Sequence, residues 1–286
     1  LQTADSVRLD VGDLHVVAGS IENTGVLTLT ATLANISNDG KIDGEGRSSY
    51  AVRTGPGYSG PSDARASASH GGVGGYPSWV GTMYGSTFEP VTVGSSGYSG
   101  IGGAALRLDA DTLVLDGVID MDGQTTSQGT GSGGSAWVTT RLLQGSASGT
   151  ISARGGTGTG DGGYYSNVDG GASGGGGGRV ALYCDASEHG GNYSGFANDN
   201  FTGVPTMEAG GGNDGGSTDR RGGAGTIYIE CGGATRALVI NGTTLAGEPS
   251  ERTTTLLEDG MTSYSFDSLH IYGGSRLEFQ PPNTGD

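Results

Sequence analysis

Ala104–Gly123 reads AALRLDADTLVLDGVIDMDG, and this stretch decides the fold. Leu106 and Leu108, then Leu113 and Leu115, recur with a period of two, which places each pair of apolar side chains on one face of a strand. A G-x-I-x-x-x-G signature follows, carried by Gly117, Ile119 and Gly123. Two other stretches repeat the arrangement. VLTLTATLANISNDGKIDGEG, Val26 to Gly46, carries Gly40, Ile42 and Gly46, and AWVTTRLLQGSASGTISARGG, Ala136 to Gly156, carries Gly149, Ile151 and Gly155. An apolar residue (Leu29, Leu106, Val138) stands 13 positions before each isoleucine, so the three stretches align without gaps.

Looser copies continue in GRVALYC (Gly178–Cys184), TIYIECGGATRALVING (Thr226–Gly242) and SLHIYGGSRLEFQ (Ser268–Gln280). Glycine clusters stand directly before strands in GIGGAALRL, GSGGSAWV, GGGGGRVAL and GGAGTIYI. The C-terminal copies recur roughly every 30–50 residues, within the periods of solenoids and propellers. A four-stranded blade needs more strand runs than each unit offers. The pattern therefore predicts an all-β fold, a right-handed parallel β-solenoid (β-helix) in one domain over 1–286, with a long Gly/Tyr/Pro-rich excursion at about 47–103. Stretches such as GGASGGGGG (Gly170–Gly178) suit extended polyproline-II-like strands packed side by side, a polyglycine-II-like arrangement. The expected inward residues are Leu106, Leu108, Leu113, Leu115, Ile119, Trp137, Val138, Ile151, Val180, Leu182, Ile227 and Ile229.

Composition narrows the function classes. Of 286 residues 61 are glycine, about three times the usual share, yet no every-third-residue period exists, which excludes collagen. The net charge of −16, with Lys41 as the single lysine, argues against nucleic acid and anionic membrane as partners. No apolar run is long enough to span a bilayer. Glycans, cations, other proteins or further copies of the chain are the expected partners. The pattern starts in mid-repeat at Leu1 and stops after Leu277–Phe279 without an obvious cap, which predicts a piece of a longer fibre or end-to-end stacking.

SHGGVGG (Ser69–Gly75), YGS (Tyr84–Ser86), GGAALRLDADTLVLDGVIDMDG, GSGGSAWV, GTISARGG and GGGGGRVALYC together resemble glycine-rich repeat regions of very large secreted or cell-surface proteins of bacteria and single-celled eukaryotes. The resemblance runs from about Val26 to Gly233. It implies an adhesive or structural role outside the cell and assigns no catalytic residue.

Polysaccharide lyases and hydrolases built on β-helices are the rival reading, since they cluster carboxylates on one face. Asp109, Asp111, Asp116, Asp120 and Asp122 lie close together, but aligning the isoleucines places Ser152 and Arg154 opposite Asp120 and Asp122 and no carboxylate opposite the other three, so the carboxylates do not continue. The histidines are scattered and the polygalacturonase signature is absent, so no catalytic residue is assigned. The same turn carboxylates, Asp109, Asp111, Asp120 and Asp122, are candidate calcium ligands. Ice binding fails because Thr28, Thr30 and Thr32 are not continued in the next coil. Tyr50, Tyr58, Tyr76, Trp79, Tyr84 and Tyr98 gather in the excursion and form the candidate carbohydrate or partner surface. Cys184 and Cys231 end strands of adjacent coils and are expected to form a disulfide, which fits an oxidising exterior. Asn35, Asn192, Asn200 and Asn241 open glycosylation sequons.

Overall fold

A computed structural model describes residues 6–60, 65–75, 78, 81–146, 148–159, 172–187, 205–214, 220–232, 235–242, 253–256, 261 and 263–279. Among them there is no helix. The first coils run β1 (Ser6–Val16), β2 (Ser20–Glu22), β3 (Val26–Ile36), β4 (Lys41–Asp43), β5 (Ala105–Leu115), β6 (Val118–Asp120), β7 (Ser135–Gly145) and β8 (Thr150–Ser152). The chain continues through β9 (Arg179–Ser187), β10 (Thr206–Glu208), β11 (Thr226–Cys231), β12 (Thr235–Asn241), β13 (Thr253–Leu256), β14 (Ser268–Tyr272) and β15 (Arg276–Phe279).

Long and short strands alternate, and each kind stacks on its own. The eight-stranded sheet has the order β1-β3-β5-β7-β9-β11-β12-β14, and the five-stranded sheet the order β10-β8-β6-β4-β2. Pairing is parallel throughout both except between β11 and β12. Like residues therefore stack along the axis: Leu9, Leu29, Leu108, Val138, Leu182 and Ile229 form one inward column, and Ile21, Ile42, Ile119, Ile151 and Met207 another. These columns meet in one apolar core.

Period-two alternation breaks once in each of β1, β3, β5, β7 and β9, at Gly12, Thr32, Asp111, Arg141 and Asp185. Ladder pairing skips these positions, and burial in β5 shifts by one residue after Asp111. A strand that keeps its apolar residues inward across such a shift must turn a corner. Each long strand thus supplies two sides of a coil.

Two expectations from the sequence are corrected. Register pairs Leu108, not Leu106, with Leu29 and Val138, because the turn between β5 and β6 is two residues shorter than those between β3 and β4 or β7 and β8. Trp137 points outward beneath the Arg107 guanidinium, 4.1 Å from its ring centroid. Ala136 and Val138 take the inward places on either side, as strict alternation requires. The other expected inward residues are buried.

The glycine clusters form a third layer of extended strands cross-linked by backbone hydrogen bonds. Segment 172–178 is its centre. Gly174 and Gly177 donate to Arg220 and Gly223, Gly175 and Gly178 to Gly156 and Ala153, and Gly176 to Ala68. Its carbonyls accept from Gly75 (to Gly174), Gly212 (to Gly175), Gly133 (to Gly176) and Gly72 (to Gly177). Donors three residues apart reach the same neighbour, which is the three-residue repeat of a polyproline-II-type helix. Close approach demands glycine here: a Cβ on Gly177 would lie 2.0 Å from the Ala209 carbonyl oxygen.

The 47–103 excursion supplies strands to this bundle. Ala68 N–H donates to Thr130, Gly72 bonds Gly177, Gly223 N–H donates to Val73, and Ser132 N–H donates to Ser95. A segment that leaves the stack after β4 thus braces coils formed much later in the chain. At the far end, the turn through Gly232 (φ +71°) reverses the chain into antiparallel β12 and ends the parallel progression. Leu238 and Ile240 form a second small core there, packed against Tyr264, Phe266 and Leu277.

Candidate functional site

The densest polar group stands on the outer face of the five-stranded sheet. Parallel register stacks Glu22, Asp43, Asp120, Ser152 and Glu208 in one row. Stacked strands lie about 4.8 Å apart, so like charges in this row repel. Basic residues are interleaved to offset the repulsion. Lys41 Nζ lies 2.9 Å from both Asp43 and Asp120 and 4.0 Å from Glu45, Arg47 bridges Glu22 (3.2 Å) and Asp43 (3.4 Å), and Arg154 pairs with Glu208. Partial burial lowers the Lys41 pKa, but hydrogen bonds to Asp120 and Asp43 outweigh it and hold the ammonium above its ordinary range.

Asp122 follows this row. Its Oδ1 accepts from Ser152 Oγ and from the Arg154 N–H, each at 2.5 Å. Burial, followed by the Asp120 charge, pushes its carboxyl up to about 7.

The four candidate calcium ligands are divided between two sheets. Asp109 is on the eight-stranded sheet, paired with Arg107 at 2.9 Å, and Asp111 is exposed at the bend. Asp120 is on β6 of the other sheet, and Asp122 follows that strand. Among the described residues, the one carboxylate group close enough to share a cation is Asp43, Glu45 and Asp120, and the Lys41 ammonium sits within it. In the sequence Asp39, Asp43 and Glu45 on one turn and the Asp109–Asp122 carboxylates on another are separate oxygen-ligand candidates, and only the register of β4 on β6 brings Asp43 and Glu45 to Asp120.

The excursion tyrosines are mostly engaged with the protein itself. Tyr84 hydroxyl reaches the Val93 carbonyl (2.8 Å) and Ser95 Oγ (2.7 Å), and burial raises its pKa. Arg53 covers the Tyr98 ring at 3.8 Å. Tyr50 and Tyr58 are half-buried; Tyr76 and Trp79 lie outside the described residues. Beneath them His70 is fully buried, with Nδ1 2.7 Å from the Gly133 carbonyl and Nε2 2.8 Å from Thr92 Oγ1. Those partners assign the proton to Nδ1. Burial, then the Arg179 charge, lowers the His70 pKa to about 3, so the ring is neutral. Arg179, also fully buried, donates to the Tyr84 carbonyl, Thr87 Oγ1 and Thr226 Oγ1, tying the excursion to β9 and β11.

Cys184 and Cys231 are direct register partners on β9 and β11 and are joined as a disulfide. Both are buried, and such a bond is characteristic of an oxidising compartment. Of the sequon asparagines, Asn35 and Asn241 are half-buried at strand positions, while Asn192 and Asn200 fall outside the described residues. No helix crosses a membrane among the described residues. Comparison with protein-family models, curated proteins and solved structures gives no match.

Proposed function

We propose that the chain is a rigid structural or adhesive module acting outside the cell: a right-handed β-solenoid clamped by a polyglycine-II-like bundle, without catalysis. One observation carries the reading: the excursion best placed to form a recognition loop spends its backbone bracing distant coils. Right-handedness follows from the strong preference of parallel strand–crossover–strand units within one sheet. The disulfide supports an oxidising exterior. Adhesion, where it operates, uses the outer face of the eight-stranded sheet, on which Arg107 and Trp137 offer a cation and an aromatic ring beside Thr139.

A glycan array run together with a polysaccharide degradation assay tests this. Binding without turnover, lost in Trp137→Ala, supports adhesion, and neither binding nor turnover supports a purely structural part. Release of oligosaccharides, abolished by Asp109→Asn or Asp120→Asn, overturns the proposal in favour of an enzyme.

A further inference from the structure

We infer that the 47–103 excursion is a strap that makes coils which do not touch one another open together, so that the chain from β3 to β11 unfolds as one unit and not coil by coil. The inference concerns the coupling between coils and is independent of any adhesive role.

A stack of coils is held by contacts between neighbours, and such an array can open one coil at a time. In the eight-stranded sheet β5 pairs with β3 and β7, and two strands, β7 and β9, separate it from β11. Ladder pairing therefore gives β5 no direct hold on β11. The excursion gives one, because between β4 and β5 it meets the segments that lead into three later strands. Before β7, Ala68 N–H donates to Thr130, Ser132 N–H to Ser95, and His70 Nδ1 to the Gly133 carbonyl. Before β9, Gly177 and Gly174 accept from Gly72 and Gly75, and before β11 Gly223 donates to Val73.

Two features prevent the strap from leaving one coil and staying on the next. Along the backbone, Gly72, Val73 and Gly75 bond in turn to the segment before β9, the segment before β11 and the segment before β9 again. Releasing either coil strips the strap from the other within four residues. Side chains repeat the span: at the start of β7, Ser135 Oγ donates to the Thr92 carbonyl, and at the start of β9, Arg179 donates to the Tyr84 carbonyl and Thr87 Oγ1. Tyr183 of β9 donates to the Phe88 carbonyl at 2.8 Å, and the Phe88 ring stands edge-on to Tyr228 of β11 at 4.8 Å. The stretch from Tyr84 to Thr92 thus bridges the beginnings of β7, β9 and β11. Whichever coil opens first forfeits the strap contacts of all three, and later openings no longer bear that loss, which is what makes an array open at once.

Hydrogen exchange in rising, subdenaturing concentrations of denaturant tests the inference, because it resolves separate openings within one native structure. In the native chain the slowest amides of β5, β9 and β11 are expected to exchange through a single opening, with protection factors within about threefold of one another. Ile42→Val trims a fully buried side chain of β4 and is expected to speed exchange in β11 by the same factor as in β5. Two variants loosen the strap from the far coil. Gly75→Ala drives a Cβ into the Arg220 carbonyl, and Phe88→Ala removes a half-buried ring from Tyr228. Each is expected to let β11 exchange at least about tenfold faster than β5, equivalent to about 1.4 kcal/mol, and Phe88→Ala carries the test where Gly75→Ala does not fold. Exchange of β11 in the native chain through an opening that leaves β5 protected overturns the inference. So does an Ile42→Val effect that fails to reach β11, or a Phe88→Ala chain in which β5 and β11 still exchange together.

Discussion

Gly175→Ala probes the glycine bundle directly. A Cβ there would lie 2.0 Å from the Gly131 carbonyl oxygen, whereas ordinary contact begins near 3.4 Å, so strand 129–134 would have to retreat by roughly 1.4 Å. That strand is fixed by the bonds from Gly156 N–H to Gly131 and from Gly133 N–H to Gly176, both 3.0 Å. A retreat of this size takes both beyond hydrogen-bonding distance. Each buried N–H left without a partner costs about 1–3 kcal/mol, so the two orphaned donors alone put the expected loss at roughly 2–6 kcal/mol. Gly12→Ala is the matched control, because an added Cβ there meets nothing within 4 Å, and its effect should stay within about 0.5 kcal/mol. Denaturant midpoints of the two variants, with hydrogen exchange at Gly133 and Gly156, give the comparison. Equal stability of the two variants would refute a bundle in which only glycine permits the packing.

The remaining predictions concern the disulfide and two ionisable groups, His70 and Asp122. Cys184→Ser with Cys231→Ser should destabilise the fold by up to about 4 kcal/mol, since the bridge closes a 47-residue separation, and thermal melting with and without reductant measures the loss. The folded-state pKa of His70 lies below its unfolded value, so its contribution is complete above about pH 6.5 and is lost as pH falls toward about 3. His70→Gln should remove that part of the acid slope, up to about 1.4 kcal/mol per pH unit, in stability measured from pH 7 to 4. Asp122 has the opposite sign. Its raised pKa favours the fold at low pH, and this advantage is lost as pH rises from about 4 to about 7. Asp122→Asn keeps an oxygen for Ser152 and Arg154, so it should flatten the decline and gain stability relative to the native chain near pH 8.

Much of the stack was legible because parallel in-register coils repeat the same inward residues at the same points. Ile42, Ile119 and Ile151 could be aligned by eye, and register stacks them. The two-residue slip at Leu106 and Leu108 was not legible, because shifting a strand by two keeps every side chain on its face and leaves the hydrophobic pattern unchanged. Strand alternation forbids Trp137 and Val138 from sharing a face, so the outward place of Trp137 is legible in the sequence. The partners of the glycine segments were hidden for a different reason. Glycine has no side chain to mark a neighbour, and nothing local says that Gly72 will meet Gly177. Lys41 was noticed for its rarity, but its place between Asp43 and Asp120 depends on coils that the long excursion separates in sequence.

The brace formed by the excursion also constrains the order of events during synthesis. Val73 accepts its hydrogen bond from Gly223, so Val73 is made 150 residues before that partner exists. At about 5–20 residues per second, that interval is roughly 8–30 s. Throughout it, backbone groups destined for the bundle are satisfied by water, and His70 is open to solvent. Chaperones and proteases thus have a defined interval in which to act on the excursion, and that interval closes only when residues 220–225 arrive.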